Sequence, residues 1–193
     1  MSEVVFFLEE ESAKALLEKI FPLLIPDGSQ VYPRFIVFEG KQDLEKQLVK
    51  KLRGYLNRQA RFIVMRDQDQ TDCRVTKESL VNLCTSANRP ETTVCIACRE
   101  LEAFYLGDLQ AVEAGLVIGG LAGKQEKAKF RDPDQVSFPS RELEKLTGRR
   151  YQKVAGSRAI APHLNLDAPR SKSFRYLVNA VRRACHSLQA AAG

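Results

Sequence analysis

The sequence predicts an α/β protein: an open, mostly parallel sheet of four strands, flanked by helices and followed by a C-terminal helical extension. Three observations carry that expectation. Four short apolar runs rich in β-branched and aromatic residues recur over residues 3–98. The stretches between them carry leucines at helical spacing. After residue 115 the strand signal stops, and only loop and helix signals remain. With 193 residues, 44% of them hydrophobic and 28% charged, the chain has a globular composition and can bury a core without staples.

The elements follow in order. Residues 3–8, EVVFFL, read as a buried strand. Ser12 reads as a helix N-cap, with Ala13, Leu16, Leu17, Ile20 and Leu24 at helical spacing and Pro22 limiting the end. PDGS at 26–29 is turn chemistry. Residues 34–38, RFIVF, are a second strand. Residues 42–56 form an amphipathic helix with Leu44, Leu48, Leu52 and Leu56 on one stripe. RFIVM at 61–65 is a third strand, followed by Arg66-Asp67-Gln68-Asp69 and a helix near 72–86 carrying Val75, Leu80, Leu83 and Cys84. TVCIAC at 93–98 is a fourth strand, and 100–106 is again helical. Glycines and prolines at Gly119, Gly120, Gly123, Pro133 and Pro139 mark 116–139 as a loop or lid. Helix signals return over 140–146 and 171–188, where Phe174, Leu177, Val178, Val181 and Leu188 make the apolar stripe. Residues 190–193 are expected to fray. The chain thus divides into an α/β core over 1–115 and a basic loop and helical extension over 116–193 that packs on it.

Charge separates the same two parts. Residues 1–120 hold 15 Lys/Arg and 18 Asp/Glu, net −3; residues 121–193 hold 15 and 6, net +9. A basic half suits a polyanion partner, while acids collected elsewhere suit a cation; a solvated basic surface is the alternative. No apolar run reaches the roughly 18 residues that would span a membrane. MSEVVFFLEEE has no basic segment before its apolar stretch, so it does not read as a signal peptide. Five cysteines at irregular spacing form no disulfide framework, which suits a reducing cytoplasm.

In an open parallel sheet, ligands bind beyond the carboxyl ends of the strands. The acids of this chain cluster there. Glu9, Glu10 and Glu11 follow the first strand, Asp67 and Asp69 the third, and Glu100 and Glu102 the fourth. Such carboxylates repel one another unless a cation joins them. Hard oxygen ligands suit one or two Mg²⁺ (or Mn²⁺) ions acting on a phosphodiester. The competing interpretation is acids offsetting helix dipoles at N-termini. Residues two apart on a helix point apart, so one of Glu100 and Glu102 faces the site, and Glu100 lies nearer the strand end. Lys153, Arg158, Arg170, Lys172 and Arg175, with Lys41 at a strand end and His163 after Pro162, are the candidates for phosphate contact. Tyr151, Phe174 and Tyr176 lie among them, as stacking or core residues. Cys95 and Cys98 alternate to opposite faces of a strand and read as core thiols. Gly40-Lys41 lacks the remaining residues of a P-loop, so any ATP binding belongs to a partner.

Leu8-Glu9-Glu10-Glu11-Ser12-Ala13 with Asp67-Gln68-Asp69 resembles the Toprim pattern of a Glu after strand one and Asp-x-Asp after strand three. The Gly and trailing Asp of the first Toprim motif are replaced by Glu10 and Ala13. Phe38-Glu39-Gly40-Lys41, Arg99-Glu100-Leu101-Glu102-Ala103, Tyr151-Gln152-Lys153-Val154-Ala155 and Ala161-Pro162-His163 extend the resemblance to an uncharacterised bacterial family of Toprim-like proteins. Its members are often encoded beside an SMC/ABC-like ATPase, in pairs that resemble antiphage nucleases. The resemblance implies a Mg²⁺-dependent nuclease subunit in which Asp67 and Asp69 hold metal. Glu9 would bind metal through water or act as general base or acid, and Glu100 and Glu102 would complete a second metal site. Two other classes compete. One is a non-catalytic subunit that docks an ATPase or nucleic acid. The other is a receiver-like phosphoacceptor, which wants paired Asp after strand one and a Ser/Thr after strand four, where this chain has Glu and Cys98-Arg99.

Overall fold

In the computed structural model, which describes residues 2–191, four parallel strands form one sheet in the order β2-β1-β3-β4. The strands are β1 (Ser2–Leu8), β2 (Val31–Val37), β3 (Arg61–Asp67) and β4 (Thr93–Ala97). Parallel pairing demands crossovers, and helices α1 (Glu11–Ile20), α2 (Lys41–Arg53) and α3 (Cys73–Ser86) supply them. Alternation along each strand feeds two buried clusters. Val5, Phe7, Phe62, Val64 and Val94 face Leu44, Leu48 and Leu52 of α2 and Leu80 and Cys84 of α3. Val4, Phe6, Leu8, Ile63, Met65 and Cys95 face α1 and everything that follows β4. Pro33 is tolerated because β2 is an edge strand.

After β4 the chain is helical: α4 (Glu102–Leu106), α5 (Leu109–Leu116), α6 (Ala128–Arg131), α7 (Pro139–Leu146), α8 (Lys153–Ile160) and α9 (Lys172–Ala190). Short 3₁₀ turns lie at Ala122–Lys124, Pro133–Gln135 and Ala161–His163. The α9 stripe of Phe174, Leu177, Val178, Val181 and Leu188 is buried as its spacing predicts. Of the expected frayed tail, Ala190 closes α9, and residues 192–193 lie outside the described residues.

Several expectations need correction. The second helix stops at Arg53 because Gly54 caps it, so Leu56 leaves the stripe and is 94% exposed. Val75 is exposed, since the buried face of α3 runs through Thr76, Leu80 and Cys84. Residue Glu10, not Ser12, is the N-cap of α1, and the Ser12 hydroxyl bonds back to the Glu10 carboxylate. The 116–139 loop contains α6 and two 3₁₀ turns, pinned by the buried side chains of Leu121, Phe130 and Val136. Both α5 and α8 were invisible to periodicity: each is eight residues long and each carries a glycine. Those glycines have a packing reason. A Cβ on Gly115 would sit 2.6 Å from Ala159 O and Ile160 Cα, so α5 and α8 cross backbone to backbone there. A Cβ on Gly156 would sit 2.4 Å from the Tyr151 ring.

Candidate acidic site at the strand ends

Register decides which acids meet. Leu8 pairs with Met65, and Asp67 with Ala97. Asp67, two residues past Met65, is therefore level with Glu10, two past Leu8. The β3 strand runs on through Asp67, and its backbone N–H donates to Glu9 Oε2 at 3.0 Å. The chain then leaves the strand: Asp69 takes a left-handed conformation with φ 59°, and its N–H donates to Arg99 O at 2.8 Å. Buried Gln68 ties the same two loops, donating its N–H to Ala97 O and accepting from Arg99 N–H. The left-handed backbone at Asp69 costs roughly 1–2 kcal/mol, a strain that marks functional loops more often than others.

Glu102 enters from α4. Its side chain is fully buried, its Oε1 accepts from the Tyr151 hydroxyl at 2.9 Å, and its Oε2 has no hydrogen-bond partner. The sequence favoured Glu100 for this inward position. That is corrected: helix α4 begins only at Glu102, and the Glu100 carboxylate turns to the α7 N-terminus, where Oε2 accepts from Ser140 N–H at 2.7 Å. Lys153, first residue of α8, reaches over the cluster to Glu10 at 3.2 Å. Lys41, first residue of α2, reaches Asp69 at 2.8 Å from the other side. Gly40, at φ 95°, turns the chain into that helix.

The electrostatics show crowding. Burial, then the charges of Glu10, Glu102 and Glu9, push the Asp67 carboxyl well above its ordinary range, against the pull of Lys153. Burial likewise raises Glu9, with Asp69 and Glu10 adding repulsion and the Asp67 N–H opposing it. Burial also raises Glu102, and Lys153 opposes it. Burial would lower Lys153, but the charges of Glu102 and Glu10 outweigh it and raise the ammonium above its ordinary value. Among the described residues the Asp67 carboxyl makes no hydrogen bond or ion pair.

A divalent cation meets a suitable donor set here: carboxylate oxygens only, one of them an orphaned buried Glu102 Oε2. Among the described residues, however, no three His, Cys, Asp or Glu side chains stand close enough to hold a metal as they are now oriented. Two lysines answer Glu10 and Asp69 instead.

The candidate phosphate contacts do not form one patch. Lys41 and Lys153 belong to the acidic cluster. His163 and Arg170 line a separate cavity between α5 and the start of α9, and Arg170 pairs with Glu126 at 2.5 Å. Lys172 pairs with Asp132 at 3.1 Å, while Arg158 and Arg175 are exposed. Tyr151 and Phe174 are core residues, the latter stacked on Phe104 at 4.8 Å between ring centres. Burial pushes the thiols of Cys84 and Cys185 up to about 11 and that of Cys95 up to about 12, so they are inert core groups. Glu10, which the sequence placed among the strand-end acids but gave no metal or catalytic role, is part of the site through its pairing with Lys153. Tyr151, the partner of Glu102, was identified only as a stacking or core residue.

Fold and site together define an α/β protein with a parallel sheet and a partly buried acidic cluster at its carboxyl edge, in which Glu102 alone is fully buried. The chain belongs to the family described as a domain of unknown function (DUF4276), whose family model matches residues 8–182. Its fold is similar to that of the C-terminal region of the Burkholderia pseudomallei OLD protein, with a TM-score of 0.54 and 18% identity, covering 94% of this chain and 98% of that one. Among curated proteins none matches the sequence. No helix among the described residues is long and apolar enough to cross a membrane.

Proposed function

We propose that this chain is a Toprim-like, Mg²⁺- or Mn²⁺-dependent nuclease subunit that cleaves DNA or RNA, working in the cytoplasm with an SMC/ABC-like ATPase in antiphage defence. The observation that carries the reading is the half-buried Asp67 carboxylate, which has no hydrogen-bond or ion-pair partner among the described residues and is crowded by Glu9, Glu10 and Glu102 at the carboxyl ends of β1 and β3. Asp67 and Asp69 would hold the ion, with Glu102 and Glu9 as further oxygen donors. A divalent ion supplies charge neutralisation at phosphate and a water of lowered pKa. The chain's own groups do the rest. Tyr151 fixes the orientation of Glu102 by donating to Oε1. Glu9, whose pKa burial raises above its ordinary value, would act as base on the attacking water or acid on the leaving oxygen. Lys153 and Lys41 leave their carboxylates to meet phosphate oxygens. Glu100, bound to the α7 N-terminus, plays a structural part.

The test is cleavage of plasmid, linear DNA and RNA by wild type and Asp67→Asn, with the neighbouring ATPase and ATP present, alongside Mn²⁺ titration by calorimetry. Loss of both cleavage and Mn²⁺ heat in the variant supports the reading; equal behaviour of the two proteins defeats it. One observation favours the second reading, a non-catalytic subunit that docks an ATPase or nucleic acid. Lysines already answer Glu10 and Asp69, and no three acids gather as a metal site among the described residues.

A further inference from the structure

The cleft that opens at Lys153 continues away from the acidic cluster. Lys153, Tyr151, Arg149 and Glu144 line its first part. Arg149, Lys145 and Arg141 line the next, and Arg141, Lys145, Phe138 and Lys129 the last. Shared residues at each step set these three shallow, open depressions in a row, which forms the groove along α7 and the turn behind it. Arg141 and Lys145 are four residues apart on one helix face, about 6 Å along the axis. Gly148 and Arg149 follow in successive left-handed conformations, φ 58° and 64°. That costs on the order of 1 kcal/mol at the arginine, and it brings Arg149 onto the groove wall.

On α9, Lys172 and Arg182 are tied to Asp132 and Asp167. Among the described residues Arg141, Lys145 and Arg149 have no carboxylate partner, whereas Lys129 is tied to Glu142 and Lys153 to Glu10. Among the described residues Glu144, also on the wall, has no cation partner. Phe138 is 47% exposed at the far end, with the Arg141 guanidinium 5.1 Å from its ring centre. An exposed ring backed by a guanidinium is a stacking platform for an unpaired base, and unpartnered cations beside it track a phosphate backbone.

We propose that this groove, through Arg141, Lys145, Arg149 and Phe138, guides a single nucleic-acid strand to or from the acidic cluster. The proposal deepens the nuclease reading, on which it rests for the fate of the strand, and replaces the α9 N-terminus as the main polyanion surface.

The experiment is fluorescence anisotropy of a labelled oligothymidylate in EDTA over a range of salt concentrations. Working without divalent ions separates binding from cleavage. The Arg141→Ala/Lys145→Ala/Arg149→Ala variant is expected to bind at least about tenfold more weakly, with a salt slope shallower by about 2, since each single-strand phosphate contact contributes roughly 0.7. Phe138→Ala is expected to weaken binding roughly fivefold or more. Lys172→Ala/Arg175→Ala should bind as wild type does. Lys145→Glu, a single surface change, guards against a misfolded triple variant and should weaken binding in the same direction. The proposal is overturned by a triple variant within twofold of wild type, by an equal loss in the α9 variant, or by a wild type that binds no oligonucleotide. It is also overturned if poly-glutamate binds the groove with the same dependence on the three cations, which would make it a surface for acidic protein. Any of these can occur while Asp67→Asn still abolishes cleavage, and the nuclease reading then stands without the groove.

Discussion

Asp67 is a carboxylate with three acids around it and one ammonium facing it, and its desolvation is the first reason its pKa rises. Removing that charge without changing the side-chain size relieves the repulsion. Asp67→Asn is therefore expected to melt above wild type in EDTA, by about 2–4 °C if the relief is about 1 kcal/mol in a chain of this size. The same variant should lose the stabilisation that Mn²⁺ gives wild type, because a ligand that binds only the folded state raises the melting temperature. Differential scanning fluorimetry with and without Mn²⁺ measures both; a variant that melts lower in EDTA and gains as much from Mn²⁺ would contradict the crowding. At this scale the sequence was legible where the strand-end rule applied. Glu9, Asp67 and Asp69 could be placed from local pattern alone. Lys153 and Tyr151 could be singled out, but not their roles, because their partners Glu10 and Glu102 lie far away in sequence and only the packing of α8 beside α1 and of the α7–α8 connection beside α4 brings them together.

Helix pairs are the next scale, and glycine is what sets them. Gly115→Ala would press a methyl into the backbone of Ala159 and Ile160 at 2.6 Å, where no flexible side chain can yield. The expected loss is about 1–3 kcal/mol, read by urea denaturation, and because α8 carries Lys153 the variant should also weaken activity. A Gly115→Ala chain as stable as wild type would show that α5 and α8 pack more loosely. Glu113 on α5 holds the following segment, with Oε1 accepting from Leu121 N–H at 3.0 Å and Oε2 from Ala122 N–H at 2.8 Å. Those bonds lower its pKa below the ordinary 4.5. A depressed acid contributes stability above its unfolded pKa and loses it as pH falls through the folded one. Glu113→Gln is thus expected to be less stable than wild type at pH 7, and the gap should close below about pH 4.5 as wild type itself protonates. A gap that stays constant from pH 7 to 3 would assign the effect to packing instead. Elements such as α5 and α8 escaped the sequence because the glycines that permit their close crossing also weaken the helical signal.

At the scale of the whole molecule, one buried cluster draws on both ends of the chain: Val4, Phe6 and Leu8 of β1 meet Leu177, Val181 and Leu188 of α9. The four strands and their order of appearance were legible because buried parallel strands read as continuous apolar runs. What covers each face was not, since an amphipathic stripe states that a helix is buried and not against what. Two elements packed on the same face, α1 and α9, are separated by most of the chain. The consequence is an expectation for residues 1–115 expressed alone. Without α9 the sheet face loses its cover over Phe6, Ile63, Met65 and Cys95, and Leu101 and Phe104 lose Phe174 and its neighbours. The five large apolar side chains of the α9 stripe contribute roughly 1.5–3 kcal/mol each on burial, a sum near the whole 5–15 kcal/mol that holds an ordinary domain folded. The 1–115 fragment should therefore bind a hydrophobic dye and melt without a cooperative transition, although its strands and first three helices are all present. Adding a peptide of residues 171–191 in excess should restore part of the cooperativity by covering the same face. A 1–115 fragment that unfolds cooperatively, with no dye binding, would make the α/β core self-sufficient and leave the basic extension an attachment rather than half of the core.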